Sequence, residues 1–588
     1  MSRSRRVTVL VAAVLALPIF IACGDGASND TAPAVSTPRE APPVRDPSSV
    51  EESDLYKLVG SRLYVHNPHT GLNVIDVSNP SAPKLLGRAD AEGRAGELYV
   101  RDGRALVLLE QATSTCSNFV ASSSANSPAV LYNWTTARSE LSIIDARATP
   151  PAVRRRVCLP GSPVSSRLVG RTLYIVTTTA DQSNPYGYNN LAADSHVLVL
   201  DVSNLDDVRL IDHRTLPNAG REIHVTDRAL FVASRSRNND TVIDYYAIDG
   251  ERGALAHVGQ REVTGEPQGR FHIDATDTHL RIVTFDTYNS GSVLTVLRYG
   301  EGGLQQIGQL DGIAYGERLF ATRFDGDRAY VVTFRQTDPL WVIDLSKPQA
   351  PRIVGELQVP GWSDFIYPRG DRLLAVGRGN NGRGFGVSLF DISDLEHPRV
   401  LSQLTFGDQL SSNTGSAANS DHRAVTVLER EGELPLLLVP YSNYFQGYYG
   451  DGESVGSGVG RLRQGLSVAP PSCIGEHYLK LVDVGSWSLT GRGQIDQRGA
   501  IERTLLVGNA LLSLSHRELA SLDISDRDNI KRNARLDLTD GKVSGNIEDQ
   551  QACWGGSGWF GGMVDGEDFD GGWVPFRCSL PAGSGLGA

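Results

Sequence analysis

The hydrophobic positions of this chain fall in short runs that alternate with polar positions or are rich in β-branched residues. Gly, Asp, Asn or Pro ends each run. This pattern extends from about residue 54 to residue 545, without a sustained helical period. Alternation with a period of two predicts β-strands, and the residues that end the runs predict tight turns. The range is therefore predicted to be all-β.

One phrase recurs along this range about every 45 to 70 residues: an apolar run that ends in Asp, then a small or hydroxyl residue, often followed by Pro. Its clearest copies begin at Asn73, Ser142, Val197, Trp341 and Val387. A repeat of this length is typical of an array of like units. Tight turns such as Asp102-Gly103 join the first strand of each unit to its second, and four antiparallel strands make a propeller blade.

The number of units follows from counting second strands. Nine starts can be counted, near Leu63, Leu106, Leu173, Leu230, Leu280, Tyr330, Leu373, Leu436 and Leu511. Two of these units lack the full phrase, and the last can share strands with the N-terminal segment. We therefore predict a single β-propeller of eight blades over residues 54–545, with seven to nine allowed. Two separate β-sandwiches are the alternative fold.

The N-terminus predicts export from the cytoplasm. Three arginines precede an apolar stretch from Val7 to Ala22, which predicts a signal peptide over residues 1–22. The end of that stretch, Phe20-Ile21-Ala22-Cys23, resembles a bacterial lipobox, so we expect Cys23 to be lipidated. An ordinary signal peptide cut nearby is the alternative. Residues 23–53 are rich in Ser, Pro and Ala and predict a disordered tether.

The charge and the lipobox bear on partners and location. Loss of the three N-terminal arginines moves the formal net charge from −12 to −15, which argues against nucleic acid as a partner. Contact with the membrane is expected through the lipid anchor only, and the chain is expected to be a monomer. Because Gly24 follows Cys23, no simple inner-membrane retention signal is evident. We expect the outer membrane or the cell surface.

Five cysteines remain after Cys23, and none has the spacing of a zinc or redox site. In an oxidising compartment they favour disulfides. We predict that Cys116 pairs with Cys158 and Cys553 with Cys578, which closes a Gly/Trp-rich tail over residues 546–588. Cys473 is left over, and its pairing with either C-terminal cysteine stays open.

The aspartates of the repeated phrase invite a metal hypothesis, because carboxylates suit hard cations. Equivalent positions of a ring lie far apart, however. Each Asp is better placed to accept backbone N–H groups of the turn that follows its strand. We therefore assign these aspartates a structural role.

Polar residues align three positions before the tight turn that ends each first strand. Since first strands line a propeller channel, these residues and their neighbours on the same face predict a polar channel ring. The candidates are Tyr99, Arg167, His224, His272, Asp274, Arg323 and His422. The simplest explanation is that a wet channel needs polar side chains. The functional one is a small-ligand or metal site that includes His224, His272, Asp274 and His422.

A tyrosine-rich segment over residues 441–450, after the unit start near Leu436, predicts a second candidate surface. Aromatic side chains with hydrogen-bonding groups suit contacts with sugars or proteins. The candidates for binding at this rim are Tyr441, Tyr444, Tyr448 and Tyr449. A loop whose tyrosines pack on the blade is the alternative.

The stretch from Gly316 to Gly377 resembles the signature block of bacterial secreted proteins with a C-terminal β-propeller domain. The Asp-Val-Ser-Asn-Pro phrases resemble the LVIVD repeat of surface-exposed bacterial propellers. The resemblance covers most of residues 54–545 and implies the fold and secretion. That family has no established reaction, so no catalytic residue is carried over. The loop from Gly407 to Cys473 and the tail after Gly545 depart from the family pattern.

We therefore expect a lipid-anchored or secreted binding module of the cell envelope that recognises a protein or glycan through its rim loops. No cofactor is predicted. The alternative from another class is a hydrolase or lyase with a His/Asp or metal-assisted site in the channel. No HExxH, GxSxG or P-loop motif is present.

Overall fold

The computed structural model describes residues 50–541 except 111, 113–115, 117–138, 180–193, 218–219, 237, 251–252, 288–290, 335–337, 360–361, 380–383, 408–413, 420 and 448–471. Within these residues the strands form nine antiparallel sheets that follow one another along the chain. The predicted all-β propeller is confirmed. Its nine blades lie within the predicted range of seven to nine and exceed the preferred eight by one.

The first thirteen strands are β1 and the twelve strands of blades 1 to 3. β1 (Val50–Glu52) precedes blade 1, which contains β2 (Tyr56–Val59), β3 (Arg62–Asn67), β4 (Gly71–Asp76) and β5 (Lys84–Ala89). Blade 2 contains β6 (Arg94–Arg101), β7 (Arg104–Glu110), β8 (Ser139–Asp145) and β9 (Ala152–Leu159). Blade 3 contains β10 (Ser162–Val169), β11 (Thr172–Thr178), β12 (Ser195–Asp201) and β13 (Arg209–Leu216).

Blades 4 to 6 continue the order. Blade 4 contains β14 (Gly220–Val225), β15 (Ala229–Arg235), β16 (Thr241–Ile248) and β17 (Leu255–Val263). A 3₁₀ helix, Arg270–His272, leads into blade 5, which contains β18 (Ile273–Ala275), β19 (His279–Asp286), β20 (Gly291–Gly300) and β21 (Gly303–Ile313). Blade 6 contains β22 (Arg318–Asp325), β23 (Arg328–Phe334), β24 (Asp338–Asp344) and β25 (Arg352–Val359).

The last three blades complete the ring. Blade 7 contains β26 (Trp362–Arg369), β27 (Arg372–Arg378), β28 (Phe385–Asp391) and β29 (Arg399–Phe406). Blade 8 contains β30 (Thr414–Gly415), the 3₁₀ helices Ala417–Asn419 and His422–Ala424, β31 (Thr426–Leu428), β32 (Leu436–Gly447), β33 (Ser472–Val484) and β34 (Leu489–Gln497). Blade 9 contains β35 (Ile501–Val507), β36 (Ala510–Ser515), β37 (Glu518–Asp523) and β38 (Lys531–Asp537).

The core of the propeller lies between blades. Nine clusters of buried apolar side chains each join two neighbouring blades. One of them packs Leu63 and Val65 of blade 1 against Leu512 and Leu514 of blade 9, so the ring is closed. The N-terminal segment does not complete blade 9, because β2 pairs with β3 inside blade 1. Closure therefore depends on packing between two complete blades.

β1 lies outside this regular scheme. Val50–Glu52, which the sequence assigned to the tether, pairs antiparallel with β10 at the inner edge of blade 3. Asp54 then forms an isolated bridge with Leu98 of blade 2 before the chain enters blade 1. The segment gains order through these pairings with a finished sheet, which its own composition could not indicate.

The aspartates of the repeated phrase have the structural role predicted for them. Asp76 Oδ1 accepts a hydrogen bond from the Ser78 backbone N–H over 2.9 Å, in the turn after β4. The same contact recurs at Asp201, Asp344, Asp391 and Asp523. Hydrogen bonds of this kind hold the pKa of Asp76 and Asp523 below the usual value.

The structure joins Cys116 and Cys158 by a disulfide, the first of the two predicted pairs. Cys553 and Cys578 lie outside the described residues, as does the whole predicted tail over residues 546–588. Cys473 lies in β33, but its side chain is outside the described part of the structure. No helix among the described residues is long and apolar enough to cross a membrane.

Close approach between neighbouring blades explains why the fourth strands of blades 5 and 6 each contain a glycine where the next blade contacts them. A Cβ at Gly355 in β25 would lie 1.9 Å from the Leu395 carbonyl oxygen of blade 7, and one at Gly308 in β21 would lie 2.1 Å from the Pro348 carbonyl oxygen of blade 6. Both oxygens belong to the turn between the third and fourth strands of the next blade. Glycine at these positions lets consecutive blades pack closely.

We expect Gly355→Ala to lower the thermal denaturation midpoint, because the new methyl group must displace the Leu395 backbone, at a cost of about 1–3 kcal/mol. Gly300→Ala is the matched control, since nothing lies within 4 Å of a Cβ there. Equal midpoints for the two variants, measured by circular dichroism, would show that the approach of the blades does not limit stability.

Candidate functional site

A cavity of about 350 Å³ lies in the channel, between β1 and the first strands of blades 3 to 6. Its wall contains residues from six separate elements. The lining residues are Val50, Glu52, Arg167, Ile223, His224, Val225, Arg270, Phe271, Ile273, Asp274, Arg323 and Phe324. Most of the inner-strand members come from the ends of these strands, next to the tight turns that lead to the second strands. The cavity therefore lies toward the tight-turn end of the channel.

The structure brings four of the seven channel candidates to this cavity, namely Arg167, His224, Asp274 and Arg323. The other three lie elsewhere. Tyr99 is fully buried, and its hydroxyl is 2.9 Å from Ser166 Oγ. His272 is buried with Nδ1 3.0 Å from Thr322 Oγ1. His422 packs against Phe271, with 4.5 Å between ring centroids.

These positions bear on the metal hypothesis. Among the described residues, no three His, Cys, Asp or Glu side chains are grouped as metal ligands. Asp274 accepts from Arg281 Nε over 3.0 Å, and His272 contacts Thr322. The four residues His224, His272, Asp274 and His422 are therefore not assembled into one site in this structure.

Glu52 of β1 carries the main negative charge of the cavity. Its Oε1 accepts from Arg167 Nη2 over 2.6 Å and from Arg270 Nη1 over 2.8 Å. Burial alone would raise the pKa of this carboxyl, but the two guanidinium groups outweigh burial and hold the pKa below its usual value. Glu52 is thus an ionised carboxylate held between two arginines.

Arg323 of β22 also lines the cavity and has no such partner. Its guanidinium lies over the Phe271 ring, 4.8 Å from the centroid. Within the described residues it has no carboxylate within salt-bridge distance. Burial lowers the pKa of Arg323, but a guanidinium stays charged in proteins. A half-buried cation therefore faces the cavity with an aromatic contact and no direct salt bridge among the described residues, and Asp274 and Glu52 act on it only at longer range.

An ionic network holds the next part of the N-terminal segment in the channel. Arg503 Nε donates to Asp54 Oδ1 over 2.8 Å, and its Nη2 donates to Asp421. Arg423 donates to Asp421 through two nitrogens, each over 2.9 Å, and to the Ser53 carbonyl. Since Arg503 is almost fully buried, this network ties the segment to blades 8 and 9.

Two titratable groups of β14 lie on the same face of that strand, at positions 222 and 224. Burial raises the pKa of Glu222 to about 7, although Arg270 and Arg167 oppose this. Burial also lowers the pKa of His224. Glu222 is therefore close to half protonated near neutral pH, a property common among catalytic acids and bases.

Sequence reasoning missed Glu52, Arg270 and Arg503. Glu52 lies in a segment whose composition predicts a tether, and Arg270 precedes a first strand that is only three residues long. A signal did exist for Arg503. It stands five positions before the turn at Gly508, as Glu222 does before Asp227, so the same alignment carried to the last blade would have found it.

The rim prediction is wrong for one tyrosine. Tyr441 is 4% exposed, its hydroxyl donates to Gln494 Oε1 over 3.0 Å, and its ring stacks on Tyr478 with 5.2 Å between centroids. β32 places this side chain in the contact between blades 7 and 8, which an apolar body with a paired hydroxyl fits well. The side chain of Tyr444, and Tyr448 and Tyr449 altogether, lie outside the described residues.

The family model described as beta propeller domain matches residues 46–196 and 186–527. The chain belongs to this family. Because the matched residues include every blade up to the third strand of blade 9, the family match and the structure agree on the propeller.

Two curated relatives match part of the chain. A protein of Archaeoglobus fulgidus described as uncharacterized is 36% identical over 168 residues, which are 28% of this chain and 26% of the relative. An uncharacterized protein of Methanocaldococcus jannaschii is 38% identical over 143 residues, or 24% and 23% of the two chains. The chain thus spans about a quarter of the length of the curated relatives it matches.

Solved propeller structures are similar at low identity. Kluyveromyces lactis Hsv2 is 11% identical, with 61% of this chain and 100% of that chain covered and a TM-score of 0.34. BamB from Moraxella catarrhalis is 11% identical, with 71% and 97% covered and a TM-score of 0.33. At these values neither similarity bears on function.

Two desolvated histidines, His272 and His422, predict how stability depends on pH. Burial lowers the pKa of His272 to about 3 and that of His422 to about 4. Below about pH 6.5 the unfolded chain therefore binds protons that the folded chain does not, and the free energy of unfolding falls as the pH falls toward these values. We expect His272→Gln to reduce the difference between the denaturation midpoints at pH 7.5 and pH 5.

His397→Gln is the matched control, because His397 is exposed on a turn of blade 7. It should leave that pH difference as in the unchanged chain. A pH difference that is the same in His272→Gln and His397→Gln would contradict the role given to burial of His272.

Proposed function

We propose that this protein is a binding module of the bacterial cell envelope that captures a small ligand in the channel cavity. The observation that carries the proposal is the cavity itself, which gathers Arg167, His224 and Arg323 from three blades around one space. Concave sites of this size with a few convergent polar groups are typical of ligand binding.

The chemistry of the lining favours binding over catalysis. The arginines are fixed donors that do not exchange protons near neutral pH. Asp274 is a poor candidate for a general base, because Arg281 already pairs with its carboxylate. Charged donors held by neighbouring strands can orient a ligand without reacting with it.

The envelope location rests on the N-terminal sequence. The arginines and apolar stretch of residues 1–22, followed by Cys23, support export and lipidation. The resemblance to bacterial secreted propellers points the same way. We propose that lipid on Cys23 anchors the module to the outer membrane or the cell surface.

Recognition of a protein or glycan at the rim stays a prediction for Tyr444, Tyr448 and Tyr449. It has less support than the channel, because Tyr441 is buried between blades. We therefore place the ligand in the channel.

An enzyme, most plausibly a hydrolase or lyase, is the second candidate. The observation in its favour is Glu222, whose raised pKa of about 7 suits general acid–base catalysis near the cavity. The absence of an assembled metal group among the described residues leaves Glu222 as the group to test.

We expect Cys23→Ala to release the protein from the membrane fraction of the bacterial host and to abolish incorporation of labelled palmitate, because the thiol that carries the lipid is gone. Fractionation and immunoblotting measure the first effect, and autoradiography the second. Ser28→Ala, in the same segment, is the control. A membrane-bound Cys23→Ala variant, together with an unlabelled wild-type protein, would contradict the lipid anchor.

We expect a panel of small molecules, screened by thermal shift on the full mature chain, to contain ligands that raise the denaturation midpoint. Mass spectrometry should recover these ligands unchanged if the protein only binds them. Conversion by the wild type that is lost in Glu222→Gln and kept in Glu262→Gln, an exposed control in β17, would favour the enzyme. A panel without any ligand that stabilises the protein would argue against a channel binding site.

A further inference from the structure

We propose that the channel cavity is a site for a small organic anion, a carboxylate or a phosphate monoester, bound by Arg323 and Arg270, with Glu52 as a built-in competitor. This inference rests on the proposed function, because it takes the cavity as the binding site. It adds the chemical class of the ligand and a part of this chain that competes with it.

The first step is the charge around the cavity. Three guanidinium groups, from Arg167, Arg270 and Arg323, line the cavity together with two carboxylates, from Glu52 and Asp274. Arg281 pairs with Asp274 from outside the lining. Adding Glu222 of β14 brings the carboxylates to three, and its raised pKa leaves it partly neutral. The cavity therefore has an excess of positive charge, although the whole chain is acidic.

The second step is where that excess is located. Arg281 is paired with Asp274, and Arg167 is paired with Glu52. Arg323 has no salt bridge to any described residue, and it is held in place by the Phe271 ring beneath it. A charged group removed from bulk water without a partner is unfavourable, so a bound anion would supply the missing interaction.

The third step concerns size and shape. A volume of about 350 Å³ is equivalent to about twelve water molecules in the liquid and lies in the range of small-molecule sites. Phe271, Phe324 and Ile223 form an apolar part of the wall beside the arginines. An anion with a small apolar or aromatic body fits this lining better than a bare inorganic ion, because it also covers the apolar side chains.

The fourth step identifies Glu52 as the internal counterpart of such a ligand. A single oxygen of Glu52 accepts charge-assisted hydrogen bonds from both Arg167 and Arg270, so this carboxylate already occupies donors that an anionic ligand would use. Its side chain is 38% exposed, so solvent reaches it. β1 is paired with β10 over only three residues, so β1 has few ladder contacts to lose when a ligand competes for Arg270.

Isothermal titration calorimetry of the full mature chain tests the proposal. The probes are benzoate and phenyl phosphate as organic anions, inorganic phosphate as the bare ion, and benzyl alcohol as a neutral analogue. We expect both organic anions to bind more tightly than the other two. Their relative affinities separate a carboxylate ligand from a phosphate.

Two substitutions locate the site. Arg323→Gln should weaken binding of the organic anions about tenfold or more, since a charge-assisted hydrogen bond is lost. Glu52→Gln should strengthen it about tenfold, since Arg167 and Arg270 lose their internal anion. Arg352→Gln, which removes an exposed arginine paired with Asp344 in blade 6, is the control and should change nothing.

Arg323→Lys guards against a folding artefact, since it keeps the charge and loses the planar fork of the guanidinium. We expect its affinity to lie between those of the wild type and Arg323→Gln. The denaturation midpoints of all variants show whether a weaker affinity results from destabilisation of the folded protein.

The outcomes separate this inference from the proposed function. Anion binding that is unchanged in Arg323→Gln, or weakened in Glu52→Gln, would overturn the site described here. Benzyl alcohol that binds as well as benzoate would overturn the anion class and leave the channel as a binding site. If no probe binds and the wider panel also yields no ligand, the proposed function fails as well.

Discussion

The structure depends on the packing of each blade against the next, and above all on the packing of blade 9 against blade 1. Leu512 and Leu514 meet Leu63 and Val65 there, and none of the strands that the structure describes is shared between the two blades. This contact turns a linear array into a closed ring. Without it the first strands would not face a common channel, and residues far apart in the chain would not meet.

The closed ring gives the channel its chemistry. Each blade contributes one short inner strand, so charged residues that are far apart in the chain can pair in the channel. Glu52 and Arg270 are 218 positions apart in the chain, and Asp54 and Arg503 are 449 apart. The N-terminal segment makes several of these long-range pairs. Its carboxylates, Glu52 and Asp54, accept hydrogen bonds from Arg167, Arg270 and Arg503 of the ring.

The candidate site was only partly accessible from the sequence. Alignment of the first strands on their tight turns found Arg167, His224 and Arg323, because a regular repeat places equivalent positions on equivalent walls. The same alignment could not show that Tyr99 and His272 are buried, since burial depends on how the neighbouring blade packs. The alignment did not include Glu52, because that residue precedes the repeat.

The sequence by itself determined the strands, the tight turns, the role of the repeated aspartates and the propeller class, because these follow from local periodicity and from hydrogen bonds within a few residues. Only the tertiary structure decided the number of blades, because blades 4 and 5 are complete sheets although they lack the full phrase. It also decided which polar residues share the cavity and that β1 enters the channel. Those features depend on contacts between residues hundreds of positions apart. The local pattern of hydrophobic and polar residues does not specify such contacts.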